Sequence, residues 1–152
     1  MKVKSLMVLL SLAVFGFLAP AASAGTSMVT VQSSHSYELT VANLKTAVAH
    51  GGMMVMAQVN QGKMLSMAGL SLKAEVFLVG NPTVGKMLFE QNHGVGLYVP
   101  LRVFVTEDAD GKVYVSYDKP SALLDQFHNS QIDHVAAMLD KKMAGLVQMA
   151  TH

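Results

Sequence analysis

Residues 75–120 read EVFLVGNPTVGKMLFEQNHGVGLYVPLRVFVTEDADGKVYVSYDKP, and the spacing of the apolar side chains changes twice within them. An apolar run over residues 74–79 ends at Gly80 and predicts a mostly buried strand. Asn81 then suits the cap of a helix over residues 82–91, because the proline that opens it lacks the N–H that a first helical turn leaves unpaired. The first half of the stretch therefore predicts a strand followed directly by a helix.

The second half of the stretch alternates with a period of two. Every second residue from Val95 to Val105 is valine or leucine, which predicts one long strand. Pro100 cannot donate to a strand ladder, so we expect this strand at a sheet edge, or bulged or split at the proline. Residues 107–111, EDADG, supply turn chemistry, and the alternation resumes over residues 113–117. An antiparallel hairpin is the expected result.

Two strands and two helices are predicted upstream of this stretch. The strands fall at residues 28–31 and 53–59, and a helix capped by Thr40 lies between them. A short helix over residues 63–68 follows, and we expect its apolar side chains to point inward. These elements add strands and helices to the same sheet.

A long amphipathic helix is predicted near the C-terminus, at about residues 130–150. Its apolar face, on a period of 3.6, comprises Ile132, Val135, Ala136, Leu139, Met143, Leu146, Val147 and Ala150. Such a face has to pack on the sheet or on a second subunit. The sequence thus predicts one α+β domain over residues 25–152, with helices packed on one face of an antiparallel sheet in two layers.

Four short motifs in this region resemble the signatures of a known family. In chain order they are Gly80–Pro82, Val99–Val103, Asp110–Val115 and Tyr117–Pro120. They resemble the family catalogued as domain of unknown function 302, and the likeness covers about residues 30–124. The resemblance implies a small α+β domain, often a dimer, and it implies no reaction. Relatives often place an acid–histidine pair where this chain has Asn60 and Gln61, so no role of that histidine is expected here.

The first 24 residues have the pattern of a secretory signal peptide. A basic start, Met1–Lys4, precedes an apolar run over residues 6–19, and Ala22–Ala24 gives a small-residue cleavage site. The apolar run is shorter than the roughly 20 residues that span a membrane. We therefore expect an exported protein, periplasmic or secreted, without membrane association after cleavage.

Composition narrows the expected partners. The chain has no cysteine, and removal of 24 of its 152 residues leaves 128, enough for one core without disulfides. Loss of Lys2 and Lys4 from the eleven basic residues leaves nine against ten acidic residues, a net charge near −1. No basic stripe remains, which argues against nucleic acid as a partner.

One candidate metal site lies on the C-terminal helix, opposite its apolar face. His134, Met138, Met149 and His152 follow one another at spacings of four, eleven and three residues, which places them on one stripe. His134 and Met138 are one turn apart, and imidazole with thioether favours copper(I). The alternative is a solvent face on which methionine is tolerated.

A candidate ligand site involves methionines of the predicted strand at residues 53–59. Met54 and Met56 should point one way, while Met53 and Val55 point the other way into the core. Exposed thioethers could line a pocket for a flexible apolar ligand, bind a metal or act as an oxidation sink. Asn81 is a further candidate contact. The alternative is ordinary core packing of these methionines.

Arg102 is the candidate for contact with an anion, since its planar guanidinium suits a carboxylate. The alternative is an ion pair with Asp118 or Glu107 across the hairpin. The histidines are scattered, and no residue is assigned as catalytic. The sequence favours a non-enzymatic, exported binding or accessory protein, a homodimer, whose ligand is copper(I) or a small apolar molecule. Two alternatives remain: an enzyme acting on a small acid or thioester through Arg102 and a histidine, and a purely structural homodimer.

Overall fold

The computed structural model describes residues 27–152, so the signal-peptide prediction lies outside the described residues. Those residues form ten regular elements: β1 (Met28–Ser33), α1 (Tyr37–His50), β2 (Met54–Asn60), α2 (Gln61–Ser66), β3 (Ala74–Gly80), α3 (Pro82–Phe89), β4 (Leu101–Glu107), β5 (Val113–Asp118), α4 (Pro120–Leu124) and α5 (Ser130–Thr151). Short 3-10 helices, His93–Leu97 and Asp125–Phe127, precede β4 and α5. None of the helices over residues 27–152 is both long and apolar enough to cross a membrane.

The five strands make one antiparallel sheet in the order β1-β5-β4-β3-β2. Both of its edges, β1 and β2, come from the first part of the chain, while the predicted hairpin β4–β5 lies inside the sheet. Gly111 in the hairpin turn has φ +77°, the conformation that a glycine adopts without steric cost. The predicted α+β class and the antiparallel sheet are confirmed.

The single long strand predicted from Val95 to Val105 is wrong in its first half. Residues 93–97 form a 3-10 helix whose start is capped by Asn92, with the side-chain Oδ1 accepting from Gly94 N at 2.8 Å. A cis Val99–Pro100 bond follows, and β4 begins only at Leu101. The expected split at the proline is therefore confirmed, but the expected edge position is wrong. Because β4 starts after Pro100, its N–H groups remain available to both neighbouring strands.

The helix caps confirm one prediction, Asn81, and correct another, Thr40. Asn81 caps α3 and Asn129 caps α5 through side-chain oxygens that accept backbone N–H groups. The cap of α1 is Ser36, whose Oγ accepts from Leu39 N. Thr40, predicted as that cap, is instead buried one turn into the helix, where its hydroxyl bonds Ser33 Oγ at 2.7 Å.

The core lies between one face of the sheet and the helices. All eight residues of the predicted apolar face of α5 are buried, and α5 packs against α1, α4 and β1. Their sheet partners include Phe77, Val79, Val103, Val105 and Val115, which are buried at alternate strand positions. The interior is thus formed by one face of the sheet and the apolar sides of α1 and α5.

The prediction for α2 is wrong in its orientation. Met64, Leu65 and Met67 are exposed, and the buried residue of α2 is Gly62. A Cβ at that glycine would lie 2.3 Å from the Leu72 carbonyl oxygen. The backbone of α2 therefore packs directly against the backbone of the segment that precedes β3. A one-turn contact of this kind leaves its apolar side chains pointing to solvent.

Candidate functional site: an apolar cavity beneath the third helix

Strand β2 carries a bulge that re-aims Met56. Val55 pairs with Val79 and Ala57 with Leu78, which leaves Met56 without a partner on β3. Residues directly opposite each other share a face, so Val55 points to the helices, as predicted, and Ala57 to the open face of the sheet. The bulge therefore separates Met54 from Met56, which regular alternation had placed together.

Met56 and its neighbours enclose an apolar cavity of about 220 Å³. One wall is α3, a second is the end of the sheet, and a third is the Val99–Pro100 segment. The lining comprises Met53, Met56, Val79, Gly80, Asn81, Pro82, Val84, Gly85, Leu88, Phe89, Val99, Pro100, Leu101 and Leu139. Met56 and Phe89 are 48% and 40% exposed, whereas Leu88 and Leu139 are buried. The cavity therefore runs from the two exposed side chains into the core.

Two residues of the β3–α3 junction hold this wall in place. Asn81 Oδ1 accepts from Thr83 N at 2.8 Å and Val84 N at 3.2 Å, while its Nδ2 donates to Gly52 O at 2.7 Å. The side chain proposed as a ligand contact thus lines the cavity but is committed to capping α3. Gly80 leaves room for Met56, whose Sδ lies 2.8 Å from the position of a Cβ there.

The histidine and methionine residues of the proposed copper stripe are all exposed on α5. Eleven residues separate Met138 from Met149, a rise of about 16 Å along the helix. His134 and Met138 therefore form one pair, Met149 and His152 another, and the four cannot share one ion. Across residues 27–152 no three His, Cys, Asp or Glu side chains are grouped to hold a metal. His134 lines a groove that also contains Met87 of α3.

Arg102 lies on the open face of the sheet, paired across strands with Leu78. Neither ion pair expected for it forms, since Glu107 bonds Lys73 at 3.2 Å and Asp118 accepts from Ser27 Oγ at 2.8 Å. A groove at Arg102 shares the Val99–Pro100 segment with the cavity. None of the described residues that line this groove is a histidine.

Sequence reasoning missed a buried polar cluster between α1 and β3. Glu75 is buried and accepts hydrogen bonds from the side-chain amides of Gln58 and Asn60, the latter at 2.7 Å. Tyr37 is also buried, and its hydroxyl has no hydrogen-bond partner among the described residues. Burial, and then the charge of Glu75, raises the pKa of Tyr37 far above its ordinary value. The one signal in the sequence was a glutamate that opens an otherwise apolar strand.

The fold and the cavity define a single α+β domain with an antiparallel sheet and an internal apolar site. The family model for the domain of unknown function DUF302 matches residues 29–150, and the chain belongs to this family. The match extends past the expected limit near residue 124 to include α5, which carries a helical period but no short motif. Membership assigns no reaction.

A solved structure and two curated relatives complete the comparison. The crystal structure of an uncharacterized conserved DUF302 protein from Bacillus stearothermophilus has a TM-score of 0.77 and 21% identity, over 83% of this chain and 99% of that chain. The fluoride-specific ion channels FluC 1 of Brucella suis and Brucella abortus are 34% identical over 99 residues, 64% of this chain. The match covers 39% and 37% of those relatives, so the chain spans about two fifths of their length.

Proposed function

We propose that this chain is an exported binding protein that holds a small, uncharged, apolar ligand in the cavity beneath α3. The observation that carries the proposal is the cavity itself: its walls are almost entirely hydrocarbon and thioether. The oxygen of its one amide side chain, Asn81, already accepts two backbone N–H groups of α3. A charged ligand would lose its hydration there without gaining a partner.

The size of the cavity narrows the ligand class. An apolar cavity of roughly 150 Å³ in another protein stays dry and binds benzene. At about 220 Å³, this cavity suits an aromatic ring system or a short branched hydrocarbon chain. Met56 and Phe89 supply an adaptable entrance, since the methionine side chain repacks at little energetic cost.

The proposal is tested with indole as the probe, by thermal unfolding and by nuclear magnetic resonance titration of the protein with residues 1–24 removed. Indole should raise the melting temperature, because a ligand at 100 times its Kd stabilises the folded state by about 2.7 kcal/mol. Val84→Phe fills the cavity from α3 and should abolish the shift. Met87→Phe changes an exposed residue of the same helix and should leave it intact. Equal binding by Val84→Phe and the parent protein would contradict the proposal.

A soft-metal site is the second candidate, and one observation favours it. His134 and Met138 lie one turn apart on α5, and Met87 of the neighbouring helix lines the same groove as His134. Competition with bicinchoninate for copper(I) should weaken by about tenfold or more in His134→Ala/Met138→Ala. Met149→Ala/His152→Ala removes the same two residue types farther along α5 and should have no effect. Unchanged affinity in both double variants would remove the copper candidate.

Export and an accessory role complete the proposal. The Brucella relatives are longer proteins named as fluoride channels, and the shared region is a minor part of them. A domain that recurs within a longer protein supports a module that works beside another activity. The enzyme alternative has less support, because no described histidine lines the groove at Arg102. N-terminal sequencing of protein recovered from the exported fraction should begin at Gly25.

Self-association is also proposed, through the edge strand β2. This strand has no charged residue, and Met54, Met56 and Val59 are exposed along it. An edge strand without charged side chains lacks one of the protections that keep edge strands from pairing with another strand. The purely structural homodimer predicts that neither indole nor copper(I) binds.

A further inference from the structure

The groove at Arg102 lies at the end of the sheet where β4 begins and β5 ends. It has a volume of about 290 Å³ and opens on the face of the sheet that the helices leave uncovered. Leu78, Leu97 and Leu123 line it, and Leu97 is 86% exposed. An aliphatic wall of this kind suits the branched hydrocarbon part of a ligand.

Tyr98 gives the groove a fixed side. Its ring packs edge-on against Phe127, with 5.8 Å between the ring centroids. Its hydroxyl donates to Gln126 Oε1 at 3.0 Å. A side chain held at both ring and hydroxyl forms a wall before any ligand arrives, which lowers the entropic cost of binding.

The two charged groups of the groove are both available to a ligand. Arg102 has no ion pair and no side-chain hydrogen bond within residues 27–152. Asp118 uses Oδ1 to accept from Ser27, and within residues 27–152 its Oδ2 has no hydrogen-bond partner. Continuing the β4–β5 register from Val103 and Tyr117 sets the two charged residues opposite each other. A direct ion pair between them would be largely exposed and worth only about 0–1 kcal/mol.

We propose that this groove binds a zwitterion with an aliphatic body, of the apolar α-amino-acid class. The guanidinium of Arg102 takes the carboxylate in a bidentate fork. The carboxylate of Asp118 takes the ammonium group, and the three leucines contact the side chain. The groove is separate from the cavity beneath α3, so this inference does not depend on the ligand proposed there.

L-leucine and its two half-ligands provide the test. The half-ligands are 4-methylpentanoate, which lacks the amine, and 3-methylbutylamine, which lacks the carboxylate. Titrations at millimolar concentrations are followed by backbone amide shifts of the protein with residues 1–24 removed. L-leucine should give saturable shifts at Leu78, Arg102 and Leu123, and each half-ligand should bind at least about tenfold more weakly.

Four variants test the two charge contacts and distinguish their loss from a change in the fold or in the cavity. Arg102→Ala should lose L-leucine binding, and Asp118→Asn should bind L-leucine no better than 4-methylpentanoate. Lys141→Ala removes an exposed cation of α5 and should bind as the parent protein does. Val84→Phe, which blocks the cavity, should still give saturable L-leucine binding while it abolishes indole binding, so the two proposals can fail independently.

Three results would overturn the inference. The first is the absence of saturable shifts with L-leucine. The second is equal binding of 4-methylpentanoate and L-leucine to the parent protein, which would leave Asp118 without a role. The third is that the shifts fall on residues that line only the cavity, such as Val84 and Leu88.

Discussion

At the scale of single residues, Tyr37 is the most unusual side chain of the described chain. Its hydroxyl is buried and has no hydrogen-bond partner within residues 27–152, and Lys73 Nζ lies over its ring at 5.6 Å from the centroid. That lysine also bridges Glu38 at 3.1 Å and Glu107 at 3.2 Å. The ring therefore packs well while the hydroxyl bears the full cost of its lost hydration.

Replacing Tyr37 by phenylalanine should therefore not destabilise the protein. Removing an unsatisfied buried hydroxyl recovers part of a desolvation cost of about 1–3 kcal/mol, while the packing of the ring is kept. Urea unfolding should show equal or greater stability for Tyr37→Phe. Tyr98→Phe removes a hydroxyl that does bond, to Gln126, and is the matched control. A loss of stability in Tyr37→Phe larger than in the control would contradict this account.

Alkaline pH should destabilise the protein through buried tyrosines. Burial is the main cause that raises the pKa of Tyr37 and of Tyr117 above the ordinary value of 10.0. Above pH 10 the unfolded chain releases these protons while the folded chain retains them. Stability is therefore complete below pH 10 and falls as pH rises, by up to about 1.4 kcal/mol per pH unit for each such tyrosine.

This slope is measured by urea unfolding at pH values from 8 to about 11.5, a range that spans the ordinary tyrosine pKa. Tyr37→Phe should reduce the slope, since it removes one of the tyrosines whose pKa is raised in the folded protein. An identical slope in the variant would show that Tyr37 ionises with its ordinary pKa in the folded protein.

At the scale of elements, α3 and α5 have equivalent caps but different neighbours. Asn81 and Asn129 each accept two backbone N–H groups at the start of their helix. Asn81 additionally donates to Gly52 O and lines the cavity. A comparison of substitutions at the two asparagines therefore distinguishes the effect of losing a helix cap from the effect of changing the cavity.

Changing either cap to alanine should cost roughly 1 kcal/mol of unfolding free energy. Asn81→Ala should also weaken indole binding, because it frees the wall that α3 forms over the cavity. Asn129→Ala is the matched control, with similar destabilisation and unchanged indole affinity. Melting curves with and without indole measure both effects. Equal indole affinity in the two variants would show that the position of α3 does not depend on its cap.

The elements also show why some of the structure could be predicted. The class of fold, the cap Asn81 and the buried face of α5 follow from spacing along the chain, because a helix or a hairpin satisfies its own backbone locally. The bulge at Met56 depends on the register with β3, which local sequence does not contain. The 3-10 helix before Pro100 was missed because its valines and leucine mimic a strand period. The copper stripe divides into two separate pairs, because an angular match on a helix ignores the rise along its axis.

At the scale of the whole molecule, the sheet ends in two uncharged edges. β1 and β2 contain no Asp, Glu, Lys or Arg, but exposed apolar side chains are concentrated on β2. Val59 is exposed on the open face of that strand, opposite Val76 of β3. The difference between the two edges supports our proposal that β2 is the side for self-association.

Val59→Lys should shift the protein from dimer to monomer in light scattering coupled to size exclusion. A lysine on an edge strand disfavours pairing with a second strand. Gln32→Lys places the same charge on β1 and should leave the dimer intact. Dissociation by Gln32→Lys alone would move the interface to the opposite edge of the sheet.

Val99 and Pro100 line both the apolar cavity and the Arg102 groove and so separate the two sites. A ligand that displaced this segment from one side would change the volume of the site on the other side. Thermodynamic reciprocity then requires each ligand to alter the affinity of the second by the same factor. Occupants of unlike chemistry, one uncharged and one zwitterionic, would thus act as heterotropic effectors of each other within a single domain.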